Sequence, residues 1–186
     1  MAFDKPRVIG TLDPSVRDCG ISLLHGQTVQ FGKLVRNPMK SGHDYAACRS
    51  MALAVSIHFP RLDTLVIEYP RIYTAGKQVK RDDHGNARST DPNDLLPLVG
   101  VGTAVAALMP DTEIITLFPD EWKGQVEKIA MNIRTCGRLS PDERKTVEAK
   151  DPDPDKPHDK GHNVWDAVGI GLHYVGRLDR VRIYAR

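Results

Sequence analysis

Three acids stand where a carboxylate is costly to place. Asp13 closes the apolar run Arg7–Leu12 and is followed by Pro14. Glu68 closes Leu65-Val66-Ile67, and Pro70 breaks the chain after Tyr69. Asp166 lies inside Val164-Trp165-Asp166-Ala167-Val168, one of the worst settings for an unpaired charge. Each has a plain reading. Asp13 could be a turn residue before proline. Glu68 could be a solvated strand end, and Asp166 could pair with an arginine such as Arg177. Taken together they point to chemistry. Three converging carboxylates ionise cheaply only if cations neutralise them. An oxygen-only donor set suits Mg2+ or Mn2+. Two such ions activate a water and steady the leaving oxygen in phosphodiester hydrolysis.

The elements that would carry these acids can be read from pattern. Arg7–Leu12 and Cys19–His25 have strand character, Gly26-Gln27 supplies a turn, and Thr28–Val35 alternates as a third strand. Ser41 is a candidate cap for a helix over 43–58, with Asp44 near its positive end. Ala47, Met51, Ala54, Val55 and His58 fall on one face of that helix. Leu65–Ile67 reads as a buried strand. Asp94 is expected to cap a helix that holds Pro97 in its first turn and runs to about Met109. That helix is apolar nearly all round, so it is expected to be sandwiched. Thr112–Leu117 reads as a further strand. Phe118–Lys123 reads as a loop or helix start, and 125–149 as one or two short helices opened by Ser140-Pro141-x-Glu143. The last helix begins near His162. The order predicts an α/β fold: a mixed five-stranded sheet, three antiparallel hairpin strands plus two parallel ones, with helices on both faces. The first and fourth strands can then be neighbours, so Asp13 and Glu68 share one sheet edge. A helix packed across that edge would bring Asp166 to them.

Composition sets the frame. The 186 residues suit a single domain, 1–186, with 40% hydrophobic and 27% charged residues and a net charge of +2. Any basic surface must therefore be local. Three cysteines without a CxxC pair argue against a disulfide framework or cysteine zinc site and suit a reducing compartment. No signal peptide or membrane span is apparent, and a cytoplasmic protein is expected. Two segments lack periodicity: a basic loop at 71–90, expected to be mobile, and a Pro/Asp-rich linker at 150–160.

The motifs VIGTLDPSVRDCGISLL, TLVIEYP and HNVWDAVGIGLHY, in that order, resemble the RuvC-like Holliday-junction resolvases of the RNase H-like superfamily. FPDEWKG also resembles a segment of their phage-encoded relatives. The resemblance implies a homodimeric, metal-dependent endonuclease that cuts branched DNA, four-way junctions foremost. It implies catalytic and metal-ligand roles for Asp13, Glu68 and Asp166, with Mg2+ or Mn2+ as cofactor and two ions per site. The family usually places a fourth ligand three residues before the helical aspartate, and that position here is Asn163. His162, one turn before Asp166, is the expected fourth ligand or proton carrier, with Asn163 as the alternate.

DNA contact needs lysine and arginine where phosphates pass. The loop after Glu68 offers Arg71, Lys77, Lys80, Arg81 and Arg88, with Tyr69 and Tyr73 available to stack on exposed bases. Lys123 and Lys128 could face the scissile phosphate or pair with nearby acids. Two other readings stand beside the resolvase: a non-cleaving DNA-binding protein of the same fold, and a nuclease of ribonuclease H or terminase type.

Overall fold

The computed structural model describes residues 5–40, 44–70, 92–124, 126–153 and 161–180. The expected loop residues Arg71, Tyr73, Lys77, Lys80, Arg81 and Arg88, and most of the 150–160 linker, lie outside them.

Three strands, β1 (Val8–Asp13), β2 (Asp18–His25) and β3 (Thr28–Arg36), form an antiparallel meander. Gly26 takes a positive φ of 59° at the β2–β3 turn, which is why glycine sits there. Helix α1 (Tyr45–Ser56) crosses to β4 (Thr64–Glu68), which pairs parallel with β1. Helix α2 (Pro92–Ala107) crosses again to β5 (Glu113–Leu117), parallel to β4. Sheet order is β3-β2-β1-β4-β5. Among the described residues, four helices follow: α3 (Pro119–Trp122), α4 (Lys128–Gly137), α5 (Pro141–Lys145) and α6 (His162–Tyr174). This is the expected mixed sheet with helices on both faces.

Each face of the sheet has its own core. Leu12, Ile21, Leu65 and Ile67 pack with α1 and α2 through Met51, Val55, Val101 and Val105. Ile9, Leu24 and Val66 pack with the other helices through Trp122, Met131, Val164, Val168 and Ile170. Alternate residues of one strand thus serve opposite cores, as the two-residue period of a strand requires. Among the described residues, no helix is long and apolar enough to cross a membrane.

Two helix starts differ from expectation. Asp44 caps α1, its carboxylate accepting from the Ala47 amide at 3.0 Å, and Ser41, the expected cap, lies outside the described residues. Asp94 does not cap α2; it lies inside that helix, which begins at Pro92. A proline in the first helical position loses no bond and has its φ preset, so the helix starts about a turn early. Pro97 consequently sits in the interior, where it removes one backbone hydrogen bond. Helix α2 is also not sandwiched. It buries Val101 and Val105 but leaves Leu96 62% exposed, and Leu108 just beyond its end is 45% exposed. The Ser140–Glu143 start signal holds: each residue's side chain accepts from the other's backbone N–H.

Candidate metal and nucleic-acid site

Strand alternation puts Asp13 and Glu68 on the same face. Ile9, Thr11 and Asp13 are alternate residues of β1, and Thr11 Oγ1 donates to the Ala167 carbonyl of α6 at 2.7 Å. Thr64, Val66 and Glu68 are alternate residues of β4, and Val66 packs in the core that α6 lines. Leu12 pairs with Ile67 in the parallel β1–β4 ladder, so Asp13 and Glu68 follow next in register at the carboxyl edge. Helix α6 lies across this face and places Asp166 one residue before the Ala167 carbonyl that Thr11 and Ser22 hold. Gly20 opposes Asp13 on β2, and any side chain there would strike the Asn163 carbonyl. The missing side chain lets the first turn of α6 rest on the sheet beside Asp13.

The edge next to Glu68 is completed from β5. Glu68 pairs with Leu117, and the Tyr69 amide donates to the Leu117 carbonyl at 2.8 Å. The chain turns at once into α3, whose start is held by the Phe118 amide donating to Glu121 Oε2 at 2.7 Å. This tight turn delivers Trp122 and Lys123 to Glu68. Trp122 Nε1 donates to Glu68 Oε2 at 2.7 Å, and Lys123 Nζ lies 3.2 Å from the same oxygen. Lys128, at the start of α4, reaches Asp166 Oδ2 at 3.1 Å, with Lys123 Nζ 3.9 Å from that oxygen.

Electrostatics tie the group together. Burial pushes the Asp13 carboxyl well above its ordinary range, and the charges of Glu68 and Asp166 push it further. Lys123 and Lys128 pull it back only in part. Burial likewise raises Glu68; Lys123 opposes this, Asp166 adds to it, and the Trp122 hydrogen bond opposes it. Burial acts to lower the Lys123 ammonium, but Asp166, Glu68 and Asp13 outweigh it and leave it raised. Asp166 is 2% exposed, and its Oδ1 is buried without a hydrogen-bond partner. Such an oxygen is a net cost unless a cation meets it.

These acids are not a ready-made cage. Among the described residues, no three His, Cys, Asp or Glu side chains are grouped so that they could hold an ion. The two lysine ammoniums instead lie against the carboxylates. The donor set still fits a hard divalent cation in chemistry: three carboxylates, two of them raised by burial, and one orphaned oxygen.

Other expected site residues fall as follows. His162 is the half-buried first residue of α6. Asn163 spends its amide on the sheet, donating from Nδ2 to the Asp18 carbonyl at 2.6 Å. Tyr69 is 38% exposed at the same edge, packed edge-to-face on Phe118 with centroids 6.0 Å apart. Arg177 does not pair with Asp166; it binds Glu143, 2.9 Å from Oε2. Trp122 had no assigned role in the sequence. The available signal was topological: a strand parallel to β4 ends at Glu68's edge, so the residues after it arrive there.

No family model and no curated protein matches the chain. Among solved structures, it is similar to RuvC from Thermus thermophilus, with a TM-score of 0.51 at 13% identity, over 92% of this chain and 98% of that one. A structure of T. thermophilus RuvC in complex with a Holliday junction substrate matches with a TM-score of 0.48 at 14% identity, over 89% and 91%. The chain therefore has the RNase H-like fold of RuvC.

Proposed function

We propose that this protein is a divalent-metal-dependent endonuclease that hydrolyses phosphodiesters in branched DNA, four-way junctions first among them. One observation carries the reading: two neighbouring parallel strands end in Asp13 and Glu68 on the face where α6 presents the buried Asp166 and its orphaned oxygen. Cations would answer the charge that burial makes costly there. The three sequence motifs support the substrate class. Origin in a phage, a cytoplasmic setting and a homodimer belong to the same reading. A symmetric junction needs two cuts, hence two sites about a two-fold axis.

In this mechanism Asp13, Glu68 and Asp166 would hold Mg2+ or Mn2+, and His162 would assist as ligand or proton carrier, with Asn163 as the alternate. When bound, such ions would supply activation of a water and charge compensation at the leaving oxygen. Lys123 and Lys128 lie against the carboxylates and offset their charge. Where cations took over that role, the two ammoniums would be available to a phosphate at the sheet edge. Tyr69, with Arg71, Tyr73, Lys77, Lys80, Arg81 and Arg88 of the segment after it, is assigned to DNA.

The test is nicking of junction, flap, duplex and RNA–DNA hybrid substrates with and without Mg2+. Asp13→Asn and Asp166→Asn are each expected to reduce cleavage at least a hundredfold while junction binding persists. Cleavage at the wild-type rate in both variants would defeat the mechanism. Binding without cutting, for every substrate and metal, would favour the non-cleaving reading. That second reading rests on the lysines lying against the acids and on Asn163 standing at the fourth-ligand position.

A further inference from the structure

We propose that Trp122 is a positioning residue that sets the orientation of the Glu68 carboxylate and couples it to the helix bearing Asp166. The inference deepens the metal-site reading and rests on it. Trp122 is fully buried, and its single polar atom donates to Glu68 Oε2 at 2.7 Å. An indole N–H can only donate, so it fixes the position of the carboxylate oxygen that it meets. Among the described residues, Oε2 takes the indole and the closer Lys123 contact at 3.2 Å, and Oε1 takes the longer Lys123 contact at 3.5 Å. The indole thus fixes which oxygen is engaged on the protein side and which faces only the lysine.

The other side of the ring locks the arrangement to α6. A side chain at Gly169 would come 2.6 Å from Trp122 Cζ3, so the indole lies on the bare backbone of that helix. Gly169 follows Asp166 by three residues, close to one turn. One rigid ring therefore touches the strand-end acid by hydrogen bond and the helix of the second acid by packing. Groups that orient metal ligands in this way shift metal affinity when removed, typically 10- to 100-fold.

The experiment compares Mn2+ affinity, by calorimetry and by the electron paramagnetic resonance of free Mn2+, in four proteins. These are the wild type, Glu68→Gln, Trp122→Phe, and a chain whose indole at 122 is replaced by the isosteric benzothiophene. The last keeps the ring volume and removes only the N–H. The expected result is Mn2+ binding weakened about tenfold or more in both Trp122 variants. The benzothiophene chain should melt within a few degrees of wild type. The Trp122 indole proton resonance should also move upfield in Glu68→Gln, a readout that needs no metal. Wild-type Mn2+ affinity in the benzothiophene chain would overturn the role of Trp122 and leave the metal site standing. Absence of Mn2+ binding by wild type, or full affinity in Glu68→Gln, would overturn the metal reading and this inference with it.

Discussion

At the scale of single residues, the site is an unfavourable cluster kept in place by the fold. Asp13 shows this most plainly. Its carboxyl is raised by burial and by two acidic neighbours, so the folded state holds the proton more tightly than the unfolded chain. Below about pH 4 both states are protonated and there is no differential cost. As pH rises toward the raised folded value, the unfolded chain ionises first and stability is lost; above that value the loss is constant. Removing the charge should therefore stabilise the metal-free protein at neutral pH. Asp13→Asn is expected to raise the melting temperature by roughly 2–4 °C at pH 7.5 in EDTA, equivalent to about 1 kcal/mol. The gain should shrink at pH 4. Thermal melts of both proteins across that range check it, and a lower melting temperature for the variant at pH 7.5 would show that Asp13 is not strained.

At the scale of elements, Glu143 is the joint that holds the α6 side of the molecule together. Its carboxylate closes the cap of α5 through the Ser140 amide, accepts from the Val29 amide of β3 at 2.9 Å, and binds Arg177 just beyond α6. The Arg177 hydrogen bonds outweigh burial, and with the backbone donors they hold Glu143 at about 2. A depressed carboxyl contributes stability above its unfolded value of 4.5, and that contribution is lost as pH falls through about 2. Glu143→Gln is expected to cost roughly 3 kcal/mol at pH 7 and little at pH 2, measured by urea unfolding. An equal cost at both pH values would mean that shape, not charge, is what Glu143 supplies.

Elements also explain what could be read in advance. The strand ends at Asp13 and Glu68 were legible because apolar runs stop there at prolines, and the α5 start because its capping box is local. Asp94 misled because it has the chemistry of a cap, while Pro92 starts the helix earlier. Helix α2 looked buried because its composition is apolar, yet the sheet face beneath α1 and α2 has room for only one side of it. The convergence of the three acids was legible in their misfit with apolar neighbours. Trp122 was not, because its partner lies 54 residues away and an aromatic in a helix start reads as core. Lys123 and Lys128 were legible as candidates only, since pairing with acids and facing a phosphate call for the same residue type.

At the scale of the whole molecule, the face away from α6 bears on assembly. Tyr45, Leu53 and Ile57 of α1 and its end are 85%, 47% and 79% exposed, and they recur at helical spacing with only Arg49 between. Leu96 and Leu108 are exposed on or just beyond α2, which packs against α1. Several large apolar side chains exposed on one face suit an interaction surface, with Arg49 among them. A two-fold partner is part of the proposed function, and this face of the sheet is the one opposite α6 and the three acids. A two-fold contact repeats each substitution on both sides, so one charge introduced here becomes a facing pair of like charges. If the proposed dimer forms through this face, Leu53→Glu combined with Ile57→Glu is expected to convert it to a monomer in light scattering at micromolar concentration. Both positions are exposed, so the melting temperature of the monomer itself should change little. If the pair of substitutions leaves the mass of a dimeric wild type unaltered, the two-fold contact lies elsewhere on the chain. If the monomer nicks one strand of a junction and no longer cuts the two in concert, this face serves to set two sites at a fixed distance.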